Sequence, residues 1–185
     1  EINSKRTSHP LKLGLRLVAS FIIVLMPEIT LLLHNIRSTH NVGAIFRTAE
    51  GFGVKKVVMT GYTPYPALPH DTRLPHLAEK IDKQIHKTAL GAESSVPFEY
   101  HDNLLTWLSA NTLPLVALEQ SPNSIRISDF QTPDEYVLVL GEEVDGIPAD
   151  LLERCESVVE IPMKGKKESF NVSVAAGIAL YALTI

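Results

Sequence analysis

Polar side chains that could do chemistry cluster near the end of the chain. Ser169 and Asn171 stand just before the apolar run 172–183, whose spacing predicts a buried helix. The first N–H groups of a helix have no partner within it, so hydroxyl and amide side chains there can hold a polar ligand against free donors. Three lysines precede the pair: Lys164, Lys166 and Lys167. Lysines in a loop are usually just solvated, but these could also meet phosphates.

A second polar group follows the segment 29–34, which its length and apolar continuity predict as a buried strand. Asn41 and Arg47 belong to the next segment, where apolar residues recur at helical spacing. Asn is a favoured helix cap, so Asn41 fits a structural role as well as a chemical one. Arg47 is either solvated or able to grip a phosphate through two hydrogen bonds, since its guanidinium is a planar fork.

Acidic residues form a third group in the turn 141–146, which follows the apolar strand 136–140. Three interpretations fit Glu142, Glu143 and Asp145. Their negative charge could stabilise a helix N-terminus, they could bind a metal, or one glutamate could orient a loop or an arginine. No histidine lies nearby in the sequence, which disfavours a metal. We therefore predict an orienting glutamate and no metal.

Alternating strands and helices must position these groups. The chain opens as strand, helix, strand, which is typical of a parallel βαβ unit, and its continuous apolar strands fit a sheet covered by helices on both faces. The predicted strands are 29–34, 55–59, 98–101, 113–118, 136–140 and 157–161. The predicted helices are 41–52, 74–90, 148–155, 172–183 and one that is capped by Asp102 and runs through Leu108. Ligands bind at the carboxyl ends of strands in such sheets, so the three turns are expected to share one site.

Length and composition indicate one ordinary globular domain. The chain has 185 residues, of which 45% are hydrophobic and 21% charged, which suffices for one sizeable core. The net charge of -4 argues against nucleic-acid binding by bulk charge and leaves a local basic patch open. The single cysteine, Cys155, excludes an internal disulfide and a cysteine-rich zinc site, and it fits a cytoplasmic protein.

The first 25 residues follow a different pattern. Basic residues precede a short apolar run, 17–26, which is similar to the start of a signal peptide but too short to span a bilayer as a helix. Three interpretations stay open: an extension upstream of a natural start at Met26, an extra packed helix, or a targeting segment. We treat 1–25 as an N-terminal extension and 26–185 as the domain, and we predict no membrane association.

Familiar site motifs are missing from the sequence. It has no Gly-x-Gly-x-x-Gly, no P-loop and no Gly-x-Ser-x-Gly, so it lacks the usual signatures of dinucleotide binding, nucleoside-triphosphate binding and serine hydrolysis. We expect His34, Trp107 and Cys155 to be structural, because each lies beside apolar neighbours and no partner motif accompanies it.

Three motifs in this order resemble the SpoU-type, TrmH-like RNA 2'-O-ribose methyltransferases of the SPOUT superfamily. They are Asn41-Val-Gly-Ala-Ile-Phe-Arg47, then Leu138-Val-Leu-Gly-Glu-Glu-Val-Asp-Gly-Ile147, then the segment from Ile161 through Ser169-Phe-Asn171 to Ser173. The segment 87–93 is also similar to one in relatives, and the resemblance covers 29–185. Phe170 stands where the family usually has Leu, and Glu142 and Val144 stand where it often has Asn and Gly.

The resemblance implies a parallel α/β sheet with a C-terminal trefoil knot, a homodimer, and S-adenosylmethionine as cofactor. The implied catalytic residues are Arg47, Asn41, Glu143, Ser169 and Asn171. The implied cofactor-binding residues are Leu118, Gly141, Glu142, Ile161, Met163, Ser169 and Phe170. Our candidate RNA contacts are Arg37, Lys87, Lys164, Lys166 and Lys167.

The reaction that follows is methyl transfer to a ribose 2'-hydroxyl of RNA. The family view makes Arg47 the base, but guanidinium titrates above about 12, so we expect it to grip a phosphate and stabilise the developing alkoxide. A domain without an appended RNA-binding module favours tRNA over ribosomal RNA. The rival interpretations are an inactive RNA-binding protein of the same fold and a nucleotide-binding α/β protein of unrelated chemistry.

Overall fold

Seven parallel strands form one sheet at the centre of the domain. The computed structural model describes residues 26–185. Its strands are β1 Glu28–His34, β2 Lys56–Thr60, β3 Phe98–His101, β4 Leu115–Leu118, β5 Ile125–Arg126, β6 Glu135–Leu140 and β7 Ser157–Glu160. Their order across the sheet is β3-β2-β1-β6-β4-β7-β5, and every neighbouring pair is parallel.

Helices cover both faces of the sheet, as the sequence predicts. They are α1 Thr39–Gly51, α2 Pro75–Ala89, α3 Ala92–Ser95, α4 Leu104–Ala110, α5 Ala149–Leu152 and α6 Val172–Thr184, and a 3-10 turn Ile127–Asp129 follows β5. Leu31 and Leu33 share one core cluster with residues of α1, α2 and α6, while Leu32 belongs to a second cluster with residues of α4 and α5. Successive strand side chains point to opposite faces, which explains why β1 is apolar throughout.

Burial on both faces supplies most of the stabilisation of the strands. Leu31, Leu32 and Leu33 are each completely buried, and full burial of such a side chain contributes about 1.5–3 kcal/mol. Within residues 26–185, no helix is long and apolar enough to cross a bilayer.

The predicted elements need four corrections. Helix α1 begins at Thr39 and is capped by Ser38, whose hydroxyl accepts from Asn41 N at 3.3 Å, so Asn41 lies inside the first turn instead of capping it. Helix α4 is capped by Asn103 and not by Asp102. Helix α5 is a single turn, Ala149–Leu152, shorter than the predicted 148–155.

The fourth correction is β5, which sequence analysis missed because its two residues are exposed and show no apolar alternation. The predictions for residues 1–25 lie outside the described residues.

A crossing near the carboxyl edge brings distant segments together. Strand β7 lies between β4 and β5, although only residues 119–124 connect β4 to β5. This connection therefore passes across the end of β7. Ser124 Oγ donates to Glu160 Oε2 at 2.9 Å and fastens the connection to β7.

Helices α1 and α2 pack closely at Gly43. A Cβ at this position would lie 2.2 Å from Ile85 O and 2.3 Å from Thr88 Oγ1. Thr88 Oγ1 also donates to His40 O at 2.9 Å. This packing accounts for Gly43 in the first motif and sets the position of the α1 N-terminus beside β1.

Candidate functional site

A pocket of about 490 Å³ opens at the carboxyl ends of β4, β6 and β7. Six of the seven predicted cofactor-binding residues line it: Leu118, Gly141, Glu142, Ile161, Ser169 and Phe170. Glu143 lines it as well, while Met163 does not. The three predicted catalytic residues Asn41, Arg47 and Asn171 are also outside the lining.

The turn 141–147 forms one wall of the pocket and is tightly closed. Glu142 N donates to Gly146 O at 3.1 Å, and Gly146 N donates back to Glu142 O at 3.0 Å. A Cβ at Gly141 would lie 2.5 Å from Gly146 O, so no side chain fits there. Gly146 itself has φ +70, a left-handed conformation that favours glycine. Glu142 Oε2 accepts from Asp145 N at 2.9 Å and braces the turn from inside.

Glu119 joins the end of β4 to this turn. Its Oε2 accepts from Ile147 N at 3.0 Å, and its Oε1 accepts from Gln120 N at 2.9 Å. Glu119 is not among the residues predicted from the sequence, although its place directly after a buried strand is the same signal that marks the other turns. Glu119 is also one of the residues that line the pocket.

Glu143 ties the second motif to the first. Its carboxylate accepts from Asn41 Nδ2 at 2.8 Å, from Arg37 N at 3.0 Å and from Ser38 N at 3.2 Å. Burial alone would raise the pKa of Glu143, but these hydrogen bonds outweigh burial and lower the pKa. The group is an ionised anchor for the start of α1, which matches the predicted orienting role of a glutamate in this turn.

Asn41 extends the connection to the third motif. Its Oδ1 accepts from Asn171 Nδ2 at 3.2 Å. Asn171 caps α6, because its Oδ1 accepts from Ser173 N at 3.0 Å. A hydrogen-bonded chain of Glu143, Asn41 and Asn171 therefore runs along the pocket mouth and brings the three motifs together.

The two predicted arginines lie in different surroundings. Arg37 Nε lies 2.5 Å from Glu142 Oε1, an ion pair between a largely exposed cation and a buried carboxylate. Arg47 is exposed on α1, six residues after Asn41 and so about 9 Å along the helix axis. The structure thus places Arg37 against the pocket wall and Arg47 outside the pocket.

The loop 161–170 forms the opposite wall. Ser169 and Phe170 are exposed where they line the pocket, and the loop's three lysines, Lys164, Lys166 and Lys167, are exposed too. Gln120 Nε2 donates to Glu168 O at 2.5 Å and connects the loop to the end of β4. Lys87 lies apart, exposed on α2.

The charged residues that line the pocket are all acidic. Six acidic residues line it: Glu119, Glu142, Glu143, Asp145, Glu160 and Glu168. Among the described residues, none of the lining side chains is a lysine, arginine or histidine. No group of three or more potential metal ligands occurs within 26–185 either. The pocket therefore favours a ligand that carries positive charge and disfavours one that carries phosphates.

The remaining singled-out residues have structural surroundings. His34 Nδ1 and Thr60 Oγ1 are 2.8 Å apart in the core. Trp107 is 8% exposed and its Nε1 donates to Glu99 Oε1 at 3.0 Å. Burial raises the pKa of the Cys155 thiol to about 11, so this thiol stays protonated and unreactive at neutral pH.

Comparison with known proteins identifies the family. The model of the SpoU rRNA Methylase family matches residues 28–181. The chain belongs to this family. It is 32% identical over 158 residues to the 23S rRNA (guanosine-2'-O-)-methyltransferase RlmB of Coxiella burnetii and 35% identical over 159 residues to that of Nitrosomonas europaea. These alignments cover 84% of this chain and 57% and 55% of the two relatives, so the chain spans little more than half of their length.

Solved structures share the fold. The A. aeolicus TrmH/SpoU tRNA modifying enzyme superposes with a TM-score of 0.67 at 26% identity, over 87% of this chain and 77% of that one. An AdoMet-bound rRNA methyltransferase from Sinorhizobium meliloti gives a TM-score of 0.69 at 22% identity, over 85% and 56% of the two chains. The family resemblance and the parallel α/β architecture expected from the sequence are thereby confirmed.

Proposed function

We propose that this protein is an S-adenosylmethionine-dependent methyltransferase that modifies a ribose 2'-hydroxyl of RNA. The observation that carries the proposal is an acidic pocket whose mouth is bordered by the chain of Glu143, Asn41 and Asn171. The family and the names of its relatives support the reaction class, and an AdoMet-bound structure among the fold neighbours supports the cofactor.

The residues present fit this cofactor. A volume of about 490 Å³ is within the usual range for small-molecule sites. The sulfonium and ammonium groups of S-adenosylmethionine are positively charged, as the surrounding carboxylates favour, whereas a nucleotide would bring phosphates against them. We propose that the predicted residues that line the pocket hold the cofactor, namely Leu118, Gly141, Glu142, Ile161, Ser169 and Phe170.

The protein's contribution is alignment and charge. When bound, S-adenosylmethionine would supply a methyl carbon whose bond to sulfur breaks, with its electron pair left on sulfur, as the 2'-oxygen bonds to the carbon. Glu143 fixes Asn41, and Asn41 fixes Asn171, so both amides have set positions where the ribose would lie. Alignment of this kind supplies about 7–11 kcal/mol of a barrier.

Arg47 acts on the RNA in this proposal. It lies outside the pocket on the same helix as Asn41, so it would grip a phosphate next to the reacting sugar and stabilise negative charge on the 2'-oxygen while the proton leaves to water. A guanidinium that titrates above about 12 cannot serve as a base near neutral pH. If the protein were an inactive RNA-binding protein, Arg47 could still bind RNA, but no methyl donor would be needed.

The choice of RNA changes in light of the relatives. The prediction from the sequence is tRNA, but the relatives of Coxiella burnetii and Nitrosomonas europaea are named for 23S rRNA guanosine. A structural neighbour is named for tRNA. We propose ribosomal RNA as the first substrate to test and tRNA as the second.

A homodimer and a C-terminal knot complete the proposal. Val174, Tyr181 and Ile185 are 49%, 61% and 83% exposed, and their spacing puts them on one side of α6, which suits pairing with a second copy. The placement of β7 between β4 and β5, with residues 119–124 across its end, supports a trefoil knot. Sedimentation of Tyr181→Glu tests the dimer: the variant should be monomeric where the parent is dimeric.

Two assays test the function. Calorimetry should show binding of S-adenosylmethionine and none of ATP, and tritiated donor should label transcribed 23S rRNA at ribose positions that resist alkaline hydrolysis. Binding of ATP would favour the unrelated nucleotide-binding alternative. Cofactor binding without transfer to 23S rRNA or tRNA would favour the inactive RNA-binding alternative.

The role of Arg47 has its own test. Arg47→Lys keeps the charge and loses the planar fork, so turnover should fall about tenfold or more while cofactor affinity stays unchanged. Near-normal turnover of Arg47→Lys would show that a bidentate hydrogen bond from the guanidinium to a phosphate is not needed.

A further inference from the structure

A stack of one buried and one half-buried aromatic ring packs against the turn that follows β2. The Arg73 guanidinium carbon lies 3.6 Å from the centre of the Tyr65 ring, and the Tyr65 ring stacks on the Tyr100 ring with centroids 3.9 Å apart. Asp71 Oδ1 accepts from Arg73 Nε at 2.8 Å and holds the guanidinium in place. At the other end of the stack, the Tyr100 hydroxyl donates to Gly61 O at 2.7 Å. The stack therefore fixes Gly61 from inside the protein.

The same turn is fixed from the side of β1. Asn35 Oδ1 accepts from Tyr62 N at 3.3 Å. A Cβ at Gly61 would lie 1.9 Å from this oxygen, and Gly61 has φ +65, so both space and backbone conformation require glycine. Residues 61 and 62 thus have a set position before any ligand arrives.

This turn presents the Tyr62 side chain to solvent. Tyr62 is 55% exposed, and its hydroxyl is near enough to the Arg37 guanidinium to raise the pKa of that arginine. Arg37 Nε contacts Glu142, and Arg37 N donates to Glu143 Oε2 at 3.0 Å. A flat aromatic face and a cation therefore stand side by side, next to the carboxylate that anchors the candidate site.

We propose that Tyr62 is a base-stacking residue for single-stranded RNA, with Arg37 binding the phosphate of the stacked nucleotide. Splayed-out RNA bases stack on aromatic side chains, and every base has a π-face to offer. Because the 61–62 turn is held rigidly, Tyr62 loses little conformational entropy when a base stacks on its ring. The inference rests on the proposed function, because it places this nucleotide beside the ribose that is methylated.

Two readouts test the role of Tyr62. In methyl transfer to transcribed 23S rRNA, Tyr62→Ala should raise KM for RNA about tenfold and leave the affinity for S-adenosylmethionine unchanged, while Tyr62→Phe keeps the ring and most of the affinity. In direct binding, a short single-stranded RNA with one 2-aminopurine should lose fluorescence on the parent protein and on Tyr62→Phe, but much less on Tyr62→Ala. Leu105→Ala is the matched control, since Leu105 is 54% exposed on α4.

The outcomes separate the two proposals. If the parent methylates RNA and Tyr62→Ala equals it in KM and in quenching, the stacking role is overturned and the proposed function stands. If the parent neither binds the methyl donor nor transfers methyl, the proposed function fails, and the quenching of the 2-aminopurine probe still decides the role of Tyr62. Conversion of a dimer to monomers by Tyr62→Ala would assign the residue to protein–protein contact and also overturn the stacking role.

Discussion

The two walls of the pocket differ in how firmly they are held. The turn 141–147 is closed by its own backbone hydrogen bonds and braced by Glu119 from β4, and its Glu143 is bonded to the start of α1. Most of the loop 161–170 is exposed, although Ile161 packs against the core. In the part of the chain that the structure describes, a single side-chain hydrogen bond, from Gln120, ties the loop to another segment. The turn 141–147 is therefore a preorganised wall of the pocket, and the loop 161–170 is the wall that can move when a ligand enters.

Adding one methyl group to each wall gives the sharpest contrast. Gly141→Ala puts a Cβ 2.5 Å from Gly146 O, so the firm wall must shift. We expect the unfolding free energy to fall by about 3 kcal/mol and the affinity for S-adenosylmethionine to fall about 100-fold. Gly165→Ala is the matched change in the loop, where a Cβ meets nothing within 4 Å, and it should change both quantities little. Urea unfolding measures the stability and calorimetry measures the affinity. If the two substitutions had equal effects, the two walls would not differ in how firmly they are held.

Neutralising Glu143 tests the link between the firm wall and α1. In Glu143→Gln an amide NH₂ replaces one acceptor oxygen and faces a donor, which should cost about 1.5–3 kcal/mol at pH 7. The hydrogen bonds hold the pKa of Glu143 below its ordinary value of 4.5 in the folded protein. Its contribution to stability is therefore full above that value and is lost as the pH falls through the lowered pKa.

The pH dependence makes the Glu143 prediction specific. Between neutral pH and acid below 4.5, the unfolding free energy of the parent should fall more steeply than that of Glu143→Gln. Parallel curves in urea titrations across this range would show that the carboxylate has the same pKa folded and unfolded.

Glu119→Gln weakens the brace between β4 and the firm wall. The amide can still accept from Ile147 N but no longer from Gln120 N as well, so stability should fall by about 1 kcal/mol. The change also removes one negative charge from the pocket, and the dissociation constant for the cationic cofactor should rise about fivefold. Glu135→Gln, at the far end of β6 in a surface ion pair, is the control for loss of a carboxylate.

Gln120→Ala loosens the yielding wall and has the smallest expected effect. It removes the exposed hydrogen bond to Glu168 O, which contributes about 0.5–1.5 kcal/mol. We expect a faster release of the cofactor by about threefold in stopped-flow experiments. Because the bond is exposed, the unfolding free energy should fall by only about 0.5 kcal/mol, the low end of this range. A large loss of stability would mean that the loop is as firmly built as the turn across from it.

The sequence predicts the strands of the sheet well and its order poorly. Short continuous apolar segments such as 29–34 and 136–140 favour strands buried on both faces, and the structure confirms them. The order β1-β6-β4-β7 pairs strands that are distant in the chain, and no local pattern encodes such pairing. Strand β5 is two exposed residues whose hydrogen bonds to β7 alone make it a strand.

Within the site, the motif residues were predictable and their supports were not. Glu143 and Asn41 stand out because polar residues follow buried strands at the same edge of the sheet. Glu119 follows the same rule, yet it has no motif around it, and its partner Ile147 N lies 28 residues away. Asn41 was assigned as a possible cap on its residue type, whereas Ser38 is the cap and the Asn41 side chain is free to bond Glu143 and Asn171.

The position of β7 has a consequence for biosynthesis. The walls of the pocket come from 118–120, 141–147 and 160–175, so an emerging chain that has reached β6 holds only part of it. Contacts between segments so far apart form late in folding, because the entropic cost of closing a long loop comes before the contacts that stabilise it. Ligand capture by this cleft would therefore report that synthesis has passed residue 175, since a nascent chain released earlier lacks one wall of the pocket.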